Sequence, residues 1–190
     1  DEASFGMATF DMLGFKTPLD IFMDADIDLF YDLLLPDKVA AYIKDFSDVI
    51  TQVIASWGER GSIDVFDSIR TLEQRVGFKV WIGEEATEDG VWQQFKTHFD
   101  VLSQENAFVS PQQTLEILTS GKAKEKQAVA EIMSLVGNIM AQREASQSWP
   151  DDNFTFLYQR FKSYDPQVTL RKLTHNIINA NQGFLSNLYA

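Results

Sequence analysis

The chain has 190 residues, 45% hydrophobic and 23% charged, which suits one globular domain with a sizeable core. Its formal charge of −12 argues against a surface for nucleic-acid phosphates, and the lack of cysteine excludes disulfides, thiolate metal sites and cysteine nucleophiles. No apolar run approaches the roughly 20 residues of a membrane span, and Asp1-Glu2-Ala3 is no signal-peptide start, so a reducing cytosol is the default expectation.

In chain order, residues 1–20 are the least regular. Phe5, Met7, Phe10, Met12 and Phe15 alternate with Gly6 and Gly14. Large apolar groups on a loop-like stretch must be covered by the core, a partner or a ligand. An aspartate run follows, and on a helix Asp24, Asp28 and Asp32 would share one face. Residues 1–60 carry 12 acids and 4 bases, net −8, so the acidity is concentrated early. The spacing is not that of a calcium-binding loop; a solvated face is favoured over a Mg²⁺ or Ca²⁺ site.

The remainder reads as helix after helix. Val39, Ile43, Phe46, Ile50, Val53, Ile54 and Trp57 form one apolar stripe and predict a helix over 38–57, stopped by Gly58 and Gly61. Asp64 is the expected N-cap of a helix over 65–82, with Ile69, Leu72, Val76, Val80 and Trp81 inward and Gly83 as its stop. A helix over 88–106 follows, buried through Val91, Phe95, Phe99 and Leu102. Ser110-Pro111 opens a short one to Leu118. The longest run, 122–147, points Val129, Ile132, Met133, Val136, Ile139 and Met140 inward. After the break at Trp149-Pro150 come helices over 153–163 (Phe154, Leu157, Tyr158, Phe161 inward) and 167–189 (Leu170, Leu173, Ile177, Ile178, Phe184, Leu185, Leu188 inward), the second opened by Asp165-Pro166. Strand signals are missing, so the expectation is a single all-α domain of about seven helices.

The polar candidates are few. His98 and His175 are the only histidines, and neither has a partner at metal-ligand spacing. His98 reads as a surface or hydrogen-bonded residue. His175 lies one turn before Asn179, where acid–base work is conceivable beside a structural role. Asn176, Asn179, Asn181, Gln182 and Asn187 are unusual on a helix fit for burial, because asparagine is a poor helix former and a buried amide needs partners. They read either as a hydrogen-bonded kink or as amides that orient a ligand in an apolar pocket.

The order and spacing of several segments resemble the cytochrome P-450 superfamily, from the end of its helix C to its helix I. Leu34-Leu35-Pro36 before the 38–57 helix is similar to the passage from helix C to helix D. Trp57 to Phe66 is similar to the D–E junction, and Ile82-Gly83 to the end of helix E. Arg143 followed by Phe161 and Tyr164-Asp165-Pro166 resembles the passage from helix G through H, and Ala180-Asn181-Gln182-Gly183-Phe184 the centre of helix I. The resemblance implies the distal, substrate-side half of that fold, with the 5–15 segment in the place of a substrate-covering loop.

The sequence departs from the family where the iron is held. The family's basic residues before the Leu-x-x-Pro stretch are replaced by Asp26, Asp28 and Asp32, and acids beside haem propionates repel by about 1–4 kcal/mol per close pair. The family's proton-relaying acid–alcohol pair falls near Gly183 and Phe184, which relay no proton. No cysteine supplies a thiolate ligand. Three functions stay open. The first is a haem-free, truncated P-450-like protein with no cofactor that binds an apolar small molecule. Its ligand site would comprise Phe5, Met7, Phe10, Met12, Phe15, Ile178, Asn181, Gln182 and Phe184, and it would act as an isomerase or cyclase with Asn179, Asn181, Gln182 or His175 orienting the substrate. The second is the substrate-recognition half of a haem-thiolate monooxygenase, with haem bound only in the larger enzyme. The third is a non-enzymatic helical interaction module. Apolar faces bared by truncation imply a homo-oligomer.

Overall fold

A computed structural model of the chain describes residues 12–15, 29–102, 119 and 122–188. Among these residues it is all-α, with seven helices and no strand. They are α1 (Leu29–Leu33), α2 (Pro36–Ser56), α3 (Val65–Trp81), α4 (Asp89–Leu102), α5 (Ala123–Ser146), α6 (Asn153–Phe161) and α7 (Pro166–Leu188). A 3-10 turn, Glu84–Thr87, lies between α3 and α4. The short helix expected over 111–118 lies outside the described residues.

Local chemistry sets the boundaries. Pro36 opens α2, where its missing N–H costs no hydrogen bond, and Gly58 follows the helix with φ of +73°. The Asp64 carboxylate caps α3 by accepting from the N–H of Asp67 at 2.9 Å. Asp152 does the same for α6, accepting from Thr155 N–H at 2.8 Å. Asp165 accepts from Gln167 N–H at 2.9 Å beside Pro166, so the cap-and-proline pair read from the sequence opens α7.

Helix α3 lies at the centre. It packs against α2, α7, α6 and the 3-10 turn, while α4 packs on α5 and α7 reaches α3, α5 and α6. Phe78 on α3 gathers the main core: its ring lies 5.6 Å from Trp92, 5.1 Å from Phe95 and 4.9 Å from Phe99. Ile132, Val136, Phe154, Leu157, Phe161, Leu173, Ile177 and Ile178 complete that core. Burying each side chain of this size contributes about 1.5–3 kcal/mol. Asp100 ties α4 to α3. It accepts from Gln74 at 3.0 Å, pairs with Arg70 at 3.1 Å and with Lys96 at 2.6 Å.

The inward sets are largely those expected for α4 to α7, with Leu13 of the early segment also buried in the core. Helix α2 departs from expectation. Its residues read as a single apolar stripe, yet only Val49 and Val53 are buried, against Val76 with Phe46, Trp57 and Leu72 beside them. Ile43, Ile50 and Ile54 are exposed. The apolar arc of α2 is wider than the contact that α3 provides.

Candidate interaction surface and interior polar groups

Two asparagines of α7 are satisfied locally. Asn176 donates to the Lys172 carbonyl at 2.8 Å and Asn181 to the Ile177 carbonyl at 3.1 Å, each four residues back on the same helix. Asn181 is buried where α7 meets α3 at Gly77. A Cβ at Gly77 would stand 3.2 Å from Asn181 Cγ and closer still to its Oδ1, so only glycine fits that approach. Asn179 Nδ2 lies 2.5 Å from His175 Nε2. His175 is 1% exposed, with the Phe15 ring edge-on to it at 6.0 Å, and burial pushes its pKa down to about 4. It is therefore a neutral imidazole at pH 7.

Of the residues expected to form a ligand site, the structure brings Phe15, His175 and Asn179 together. It buries Ile178 and Asn181 in the helix packing and lays Met12 half-buried on the core. Phe5, Met7 and Phe10, with the side chains of Gln182 and Phe184, lie outside the described residues. Asp24 and Asp28 do too. Asp32 forms an ion pair with Arg160. Among the described residues no three His, Cys, Asp or Glu side chains converge to hold a metal ion, and no helix is long and apolar enough to cross a membrane. His98 is half-buried on α4.

The most densely bonded polar group was missed by sequence reasoning. Arg143, 2% exposed, sits near the end of α5 between Glu85 and Asp152. Nε and Nη2 donate to the two Glu85 oxygens at 2.9 and 2.7 Å, while Nη1 and Nη2 donate to the two Asp152 oxygens at 2.9 and 2.7 Å. Nη1 also reaches Thr155 Oγ1 at 3.0 Å and Nη2 the Ile82 carbonyl at 2.8 Å. The guanidinium lies 4.9 Å from the centre of the Phe154 ring. Burial alone would raise the Glu85 pKa, but the Arg143 hydrogen bonds and charge outweigh it and hold the carboxyl below its ordinary range. Gly83 turns beneath the cluster at φ of +111°, and a Cβ there would meet Asp152 at 2.6 Å and Arg143 at 2.9 Å. The available signal was an arginine at an inward register of α5, in step with Val136 and Ile139. The cluster locks α5, α6 and the 3-10 turn together and is closed to a substrate.

A cleft of about 220 Å³ opens between α2, α3 and the 3-10 turn, lined by Lys44, Asp45, Asp48, Arg75, Lys79 and Glu84 among others. Each of its bases has an acidic partner: Lys44 with Asp48 at 3.0 Å, Arg75 with Asp89 at 3.4 Å, and Lys79 with Glu84. Such a charge-balanced surface hollow has no focus for a charged ligand.

The surface is distinctive elsewhere. Nine large apolar side chains are exposed among the described residues, and all fall within 31–66: Tyr31, Leu34, Leu35, Ile43, Ile50, Ile54, Ile63, Val65 and Phe66. Helix α2 carries two parallel seams with the 3,4,3,4 spacing of interlocking helices. Val39, Tyr42, Phe46, Val49 and Val53 form the seam with buried members against α3; Ala40, Ile43, Ser47, Ile50 and Ile54, one step around, are all exposed. Ile43 is 63% exposed, Ile54 51% and Ile50 37%. Comparison with protein-family models, with curated proteins and with solved structures finds no match.

Proposed function

We propose that this protein acts through its surface, as a haem-free helical scaffold resembling the substrate-side half of the cytochrome P-450 fold, with the bare face of α2 taking up a partner polypeptide. The confinement of every exposed large apolar side chain among the described residues to 31–66 carries this reading. Scattered single exposures are normal, whereas a contiguous stripe along a helix is how one helix receives another. The small-molecule reading has less support. The Asn181 amide is engaged by Ile177 and Gly77, and the described cleft lies away from α7. The test is the binding of an environment-sensitive apolar dye to protein diluted until no partner covers the face. The double substitution Ile43→Asp with Ile54→Asp should cut dye binding at least fivefold while leaving the far-ultraviolet circular dichroism unchanged. Equal binding by both proteins would refute the docking face.

A second reading, the substrate-recognition half of a haem-thiolate monooxygenase, has its own support. Helices α2, α3, α5, α6 and α7 follow one another where the resemblance puts helices D, E, G, H and I. Arg160 pairs with Asp32, which lessens the repulsion that this acid would offer a propionate. The 190 residues supply no axial thiolate, so haem does not fit this chain alone. In this reading the rest of the enzyme would cover α2. A coding sequence that continues past residue 190 into a cysteine-bearing loop would favour it and defeat the haem-free one.

A further inference from the structure

We propose that the bare seam of α2 is the contact of a homodimer, in which a second copy of this chain lies antiparallel on it with both Ser47 residues at the twofold axis. This rests on the docking reading above and names the partner. The fit begins with size. The seam alternates Ala40, Ile43, Ser47, Ile50, Ile54, and an antiparallel axis through Ser47 sets Ile54 of one copy over Ala40 of the other, with Ile43 beside Ile50. A parallel pair would instead stack Ala40 on Ala40 and lay the Asp37 ends together.

Charge fits the same axis. Lys44 and Asp48 border the seam on one side, are 77% and 50% exposed, and pair with each other at 3.0 Å within the helix. A twofold axis lays that border against itself in reverse, so Lys44 of each copy faces Asp48 of the other. Two symmetric ion pairs then frame an uncharged strip, on a molecule whose net charge of −12 would otherwise keep copies apart.

The ends fit as well. Leu34 and Leu35 precede α2, and Ile63, Val65 and Phe66 follow it. Running the second helix in reverse brings the apolar end groups of one copy toward those of the other. At roughly 60–100 Å² of bare apolar area each, the three seam isoleucines present on the order of 250 Å². That is an apolar centre which the polar border and the end groups would extend toward the about 800 Å² per partner of a stable interface.

Light scattering and sedimentation on the whole chain test this. The expected mass is twice the 21.6 kDa of the monomer, falling toward 21.6 kDa on dilution. Ile50→Lys with Ile54→Asp should give 21.6 kDa throughout, with unchanged circular dichroism. Ser47→Cys provides the only thiol and should form a disulfide-linked dimer under mild oxidation, whereas Gln93→Cys, exposed on α4, should not. A wild-type chain that stays at 21.6 kDa at all concentrations overturns the proposal. So does a dimer that survives the double substitution and gives no Ser47→Cys link. If that monomer's dye binding still falls with Ile43→Asp and Ile54→Asp, self-association fails while the docking face stands; if it does not fall, both fail.

Discussion

Replacing Arg143 by methionine should unfold the protein more readily than any surface change. Methionine keeps the helix propensity and much of the volume of α5, so the loss is that of the guanidinium alone. Six hydrogen bonds vanish, and Glu85 and Asp152, 24% and 15% exposed, are left facing each other without a cation. Breaking a buried pair from one side costs about 3–5 kcal/mol, which in a domain of this length lowers Tm by roughly 6–20 °C. Urea unfolding followed by circular dichroism measures the first number and a thermal scan the second. The pH dependence carries a sign. In the wild type the Glu85 pKa is held below its ordinary 4.5, so its stabilisation is full above that value and is lost as pH falls through the folded pKa. In Arg143→Met the burial that favours the neutral acid is unopposed. The gap between the two proteins should therefore narrow below about pH 4.5. Adding Glu85→Gln and Asp152→Asn to Arg143→Met should recover most of the loss, because no uncompensated charge remains. A loss under about 1 kcal/mol, or a triple variant no better than the single, would refute the view of this cluster as a charge lock.

Gly77→Ala should cost about 1–3 kcal/mol through overpacking against Asn181, and Asn181→Ala in the same chain should relieve part of it; a double-mutant cycle showing no coupling would remove the contact. His175 has a folded pKa of about 4 against 6.5 in the open chain, so it weakens the fold as pH falls from 6.5 to 4, by on the order of 3 kcal/mol, and His175→Gln should flatten that slope in pH-resolved urea titrations. Tyr158 donates to Glu144 at 2.7 Å, which pushes its phenol up to about 12; Glu144→Gln should bring it back toward 10, read by ultraviolet titration of the phenolate.

Helices α2 to α7 were legible because each repeats its apolar step for long enough to stand out, α5 for 24 residues, whereas the five residues of α1 carry no repeat. Their boundaries were legible where one residue carries the signal, as Asp64, Asp165-Pro166 and Gly83 do. What faces a given residue was not. Arg143 stood out only as the close of the long helix, since its partners lie 58 residues before it and 9 after it. Gly77 carries no sequence signal of this, although its missing Cβ is what admits Asn181 and lets α3 approach α7. The asparagines of α7 favoured a kink over a pocket without excluding the pocket, because an amide four residues after a carbonyl serves both descriptions.

Helix α2 shows the same limit from the other side. Periodicity reveals that one arc is apolar but not how much of it a single neighbour covers. A stripe of one residue's width needs one partner helix. Two seams, one step apart around the axis, need two. Helix α3 occupies the seam that ends in Val49 and Val53, and this leaves the isoleucines of the other seam in water. Water there is costly, since each isoleucine buried would contribute about 1.5–3 kcal/mol. A chain bearing only that burden would gain from polar residues at 43, 50 and 54. Three isoleucines there, at the spacing that seats another helix, make a second polypeptide on this face the economical explanation. It also makes the mass of the particle in solution the measurement that decides between a self-paired scaffold and half of something larger.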